Sequence, residues 1–124
     1  MNHDLPDLGP AILSMADALA RHSDQPDALT VAYGTPAHRA VQTQLAQWMR
    51  EAGMAVVIDA VGNVVGRYAA ADPQAPVLMT GSHFDTVRDG GRYDGRLGIL
   101  LPIAVVAALH ARGERLPCTL EVVG

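Results

Sequence analysis

The sequence predicts an α/β fold: a mixed sheet with a β-hairpin and a βαβ unit, flanked by helices. Three observations lead there. Two runs rich in β-branched residues, 54–58 and 64–68, are separated by the turn residues Val61-Gly62-Asn63 and read as an antiparallel hairpin. A strand–loop–helix–strand order follows over 77–80, 81–96, 97–112 and 118–123, which implies parallel strands. Two stretches of helical periodicity precede both units.

In chain order, Ile12, Met15, Ala16 and Leu19 lie on one face of a helix within 8–22. Residues 23–27 are a polar break, and 28–34 is too short to assign. Thr35-Pro36 is a helix start, with Thr as N-cap and Pro at the first helical position. Val41, Leu45, Trp48, Met49 and Ala52 then recur at helical spacing, and Gly53 stands where a left-handed cap is expected. The helix is therefore placed at 36–52, with Trp48 as a packing residue. Residues 77–80 are apolar without interruption, as in a strand covered on both faces. Residues 97–112 are apolar on nearly every side, so that helix is expected to be buried. Pro102 either kinks it or marks its start. Gly113 ends it, and 119–123 is the last strand.

Composition narrows the function. The chain has 124 residues, of which 49% are hydrophobic and only 4% aromatic, so the core is aliphatic. Its net charge of -4 argues against a nucleic-acid surface. All basic residues are Arg, which excludes a P-loop lysine, a Schiff-base lysine and a lysine general base from this chain. The single Cys118 excludes an internal disulfide and fits a reducing compartment. No signal peptide is read at Met1-Asn2-His3-Asp4, and 97–109 is too short to span a bilayer. A cytoplasmic protein is the expectation.

The chemistry is concentrated in 81–95, where one His, three Asp and four Gly share fifteen positions between two apolar runs. His83 and Asp85 are two apart in an extended segment, so their side chains can point the same way. A metal-bound His commonly donates its other ring N–H to a carboxylate, and His-x-Asp suits that. Asp94 follows a Gly-Gly turn that can fold the chain back, and a carboxylate can bridge two cations. A His and an Asp remain an incomplete ligand set. A solvated surface loop is the alternative reading of the same residues. His3, His22, His38 and His110 have no such partners and read as surface residues. Arg88 and Asp89 read as solvated turn residues, although Arg88 or Arg92 could hold a carboxylate substrate.

Gly81-Ser82-His83-Phe84-Asp85-Thr86-Val87 and Gly90-Gly91-Arg92-Tyr93-Asp94-Gly95 resemble the first metal-binding segment of the M20 metallopeptidase superfamily. Within it they are most similar to the hydantoinase/carbamoylase branch, which hydrolyses N-carbamoyl and ureido compounds, and there to the allantoate-hydrolysing members. Thr35-Pro36-Ala37-His38-Arg39-Ala40, the run 48–54 and the run 58–68 share the likeness, which covers about 28–124.

The resemblance implies a zinc-peptidase-like catalytic domain with two divalent ions, Mn²⁺ or Zn²⁺. It implies His83 as a ligand of one metal, Asp94 as the bridge between two, and Asp85 as the catalytic-site residue that orients His83. It implies a small ureido acid as substrate, with no nucleic acid and no membrane. In such proteins a Glu pair, one of them the general base, follows the strand that ends here at 122–124, and a lid domain that dimerises comes later. The 124 residues therefore read as a single partial catalytic domain, expected to be inactive alone and to associate with itself or a complementary chain. The alternatives are a non-catalytic remnant or assembly module, and a small ligand-binding α/β domain.

Overall fold

A computed structural model describes residues 7–124; His3 and the rest of the first six residues lie outside it. Three helices and four strands alternate as α1 (Gly9–Leu19), α2 (Pro36–Glu51), β1 (Ala55–Ile58), β2 (Val64–Tyr68), β3 (Val77–Gly81), α3 (Leu97–Ala111) and β4 (Thr119–Val123). The local chemistry accounts for most boundaries. The Thr35 hydroxyl accepts the His38 backbone N–H at 3.2 Å and satisfies one of the free donors at the start of α2. Gly53, with φ 91°, ends that helix in the left-handed region. The Asp59 carboxylate accepts backbone N–H bonds from Val61 and Asn63, which closes the hairpin turn.

The sheet order is β1-β2-β4-β3. β1 and β4 pair antiparallel with β2, and β3 pairs parallel with β4. The hairpin and the βαβ unit both stand as expected. The helices form one layer, α2 against β1 and β2, α3 against β3 and β4, and α1 against α3. Val64, Tyr68, Leu120 and Val122 point into that layer and meet Leu45, Met49, Ile99, Leu100 and Val106. Each such buried side chain contributes about 1.5–3 kcal/mol relative to exposure. Trp48 is half-buried against this core, a packing residue as read.

Two burial expectations are corrected. β3 is an edge strand rather than a covered one, and Val77, Leu78 and Met79 are about half exposed or more. It stands at the end of the sheet order with its outer edge unpaired, so an apolar run alone does not place a strand centrally. α3 buries one face through Ile99, Pro102, Ile103 and Val106, while Leu97, Leu101 and Val105 face outward. Pro102 does not mark the start of α3, which begins at Leu97 and continues through it. Its missing N–H leaves the Gly98 carbonyl without the usual intrahelical donor. A Cβ at Gly98 would lie 2.8 Å from Ser82 Cβ, so glycine lets the first turn of α3 sit against the loop after β3.

Candidate metal centre

The parallel strands β3 and β4 deliver their carboxyl ends side by side, the Ser82 N–H donating to the Val123 carbonyl at 3.0 Å. Beyond them opens a cleft of ≈ 550 Å³ lined by residues that include Tyr33, His38, Asn63, His83, Phe84 and Asp85. This is where open α/β sheets bind ligands.

The cleft wall is held by the segment that defied assignment. Thr86 and Val31 exchange bonds, the Thr86 N–H reaching the Val31 carbonyl at 2.9 Å and the Val31 N–H reaching Thr86 Oγ1 at 3.0 Å. The Gly90 N–H reaches the Leu29 carbonyl at 2.7 Å, and the Asp89 N–H reaches Thr30 Oγ1 at 2.9 Å. The 28–34 stretch forms no regular strand, yet it fastens the loop that carries His83 and Asp85.

His83 Nδ1 has two acceptors, the Asp85 carbonyl at 3.0 Å and Asp85 Oδ1 at 3.1 Å. A nitrogen facing two acceptors carries the proton, so Nε2 of the neutral ring keeps its lone pair. Nε2 faces Asp94 Oδ2 at 4.0 Å. Gly95 makes that approach possible. It adopts φ 70°, and a Cβ there would collide with the His83 ring. The structure thus brings His83, Asp85 and Asp94 together. Zinc bonds to nitrogen and carboxylate oxygen span roughly 2.0–2.2 Å, so donors 4.0 Å apart can share one cation. His83 and Asp94 are at least half exposed. Among the described residues no three His, Cys, Asp or Glu side chains converge as a metal site. The chemistry of the donors fits a divalent metal, and their number is short of a full shell.

Other expectations change. Arg92 pairs with Asp17 of α1 at 2.5 Å, both side chains about half exposed. Arg88 and Asp89 are exposed, as read. His22 is half-buried, and His110 sits exposed in the last turn of α3.

His38 is not a surface residue. It is 6% exposed, stacks on Phe84 with centroids 4.6 Å apart, and meets Tyr33 edge-on at 5.1 Å. Burial pushes its pKa below the usual imidazole value, against the opposing attraction of Asp85 and Asp24. Arg96, unremarked in the sequence, is fully buried and donates through Nε to the Phe84 carbonyl at 3.2 Å. Its only sequence signal was a lone charge heading an apolar helix.

No family model matches the chain. It is 38% identical over 96 residues to "Allantoate deiminase 1" of Glycine max, a match covering 77% of this chain and 20% of that protein. It is 42% identical over 79 residues to "N-carbamoyl-L-amino-acid amidohydrolase" of Pseudomonas sp. (strain NS671), covering 64% and 19%. The fold superposes on a hydantoinase/carbamoylase family amidase from Burkholderia ambifaria with a TM-score of 0.86 and 37% identity, covering 94% of this chain and 29% of that one. The chain therefore spans about a fifth of the length of the curated relatives it matches. Sequence likeness and superposed fold agree with the motif at 81–95, and the chain belongs to the hydantoinase/carbamoylase branch of the M20 superfamily.

Proposed function

We propose that these residues form the N-terminal part of the catalytic domain of a dimetal-dependent amidohydrolase. It would hydrolyse a C–N bond of allantoate or a related N-carbamoyl or ureido acid, as the names of its relatives suggest. The observation that carries the reading is the convergence of His83 Nε2 and Asp94 Oδ2 at the mouth of a parallel strand pair.

Two divalent cations, Mn²⁺ or Zn²⁺, would polarise the scissile carbonyl and activate water. His83 would hold one of them through Nε2, and Asp94, with two oxygens, would bridge both. Asp85 acts through His83, fixing its tautomer and ring orientation by accepting Nδ1–H. The remaining ligands and the general base are assigned to residues beyond these 124, because two donors are fewer than the three a catalytic zinc takes from its protein. The chain alone is therefore expected to turn over no substrate. The small substrate requires neither nucleic acid nor membrane, and none of the described helices is long and apolar enough to cross one. The free Cys118 supports a reducing, cytoplasmic setting.

A second reading, an assembly module completed by another chain, is favoured by the bare β3 edge and the outward Leu97, Leu101 and Val105. One experiment separates the two. This chain replaces the matching segment of the soybean allantoate deiminase. Metal-dependent ammonia release from allantoate, abolished by His83→Ala and Asp94→Asn, is the expected result. A folded chimera silent on both allantoate and N-carbamoyl amino acids would contradict the enzyme reading.

A further inference from the structure

Arg96 is the one fully buried charged side chain among the described residues. It stands two positions after Asp94, immediately before the first residue of α3. Its side chain reaches back to the Phe84 carbonyl, between His83 and Asp85 in sequence. Its two terminal nitrogens are sealed from solvent with no hydrogen-bond partner. Such a guanidinium is costly, and an apolar side chain of similar volume would commonly leave stability unchanged or higher. Packing alone therefore does not account for it. The Asp85 carboxylate attracts the guanidinium and offsets part of its desolvation.

We propose that Arg96 is a positioning residue that clamps the His83–Asp85 segment to the start of α3. The clamp sets the spacing between His83 Nε2 and Asp94 Oδ2 and keeps the Asp85 carboxylate on the His83 Nδ1–H. Arg96 touches neither ring nor cation; it acts through the Phe84 carbonyl and the charge of Asp85. The proposal rests on the reading of His83 as a ligand, and its test uses a signal that needs no metal.

That signal is the tautomer of His83, read from ¹⁵N NMR of the 124-residue chain. Wild type is expected to hold the Nδ1–H form. Arg96→Met removes charge and donor at similar volume. It is expected to shift His83 toward a mixture with Nε2–H while the thermal midpoint stays level or rises. Arg96→Lys, which restores a charge and a donor, is expected to return the Nδ1–H form. Added Mn²⁺ is expected to bind Arg96→Met about 10–100-fold more weakly than wild type, the usual loss when a ligand's supporting partner is removed. A folded Arg96→Met chain with His83 still wholly Nδ1–H overturns the proposal. If Arg96→Met fails to fold, wild type decides. An Arg96 Nε–H slow to exchange beside an Nδ1–H His83 supports the clamp; fast exchange, or an Nε2–H His83, overturns it. Failure of Mn²⁺ to reach His83 in wild type would count against the ligand reading alone, and the tautomer would still judge Arg96.

Discussion

The His83 ring lies directly over Gly95, so close that the glycine cannot carry a Cβ. The turn that returns Asp94 to His83 thus depends on a residue without a side chain. Gly95→Ala adds both a collision and a left-handed backbone, φ 70°, that L residues rarely adopt. The expected cost is about 1–3 kcal/mol from the backbone alone. Urea denaturation measures the loss, and His83 chemical shifts report the displaced ring.

Thr35 anchors the helix that carries His38. Its hydroxyl accepts the His38 N–H and is itself bonded to Asp24 Oδ2 at 3.0 Å. Thr35→Ala is expected to cost about 1 kcal/mol, the usual worth of an N-cap. The urea midpoint should fall with the slope of the transition unchanged.

Stability should depend on pH through His38. Burial holds its folded pKa below the 6.5 of the free side chain. Below about pH 6.5 the unfolded chain therefore binds the proton that the folded chain refuses, and stability falls with pH through that window. Above it the contribution is fully present. Phenylalanine in place of His38 keeps the stack on Phe84 and is expected to flatten this acid-side loss. Unfolding free energies at pH 5 and pH 7.5 for both chains test it.

The free edge of β3 and its exposed Val77, Leu78 and Met79 form an apolar template for another strand. The chain is expected to associate as concentration rises. Met79→Lys, on the open face of the edge strand, should shift sedimentation toward monomer. A wild-type chain that stays monomeric throughout would contradict this.

The elements were legible where local chemistry decides them. Thr35-Pro36 and Gly53 bracket a periodic run and yield α2 nearly to the residue. The hairpin follows from Gly62-Asn63 between two β-rich runs. That His83, Asp85 and Asp94 lie close together was legible because glycines and acids crowd a loop between apolar flanks. Burial was not legible where it depends on distant chain. Whether 77–81 is covered is decided by what packs beside it. His38 is buried because Phe84, 46 positions along, lands on it, and Arg96 because its own loop folds over it. The role of 28–34 lies in bonds to Thr86 and Gly90, which no local pattern announces.

Whether His83 and Asp94 meet on a shared cation is decided by Mn²⁺ titration followed by NMR. Selective paramagnetic broadening of His83 and Asp94 is expected at the lowest additions, lost in both His83→Ala and Asp94→Asn. Broadening that spares these two residues, or survives either substitution, would contradict it.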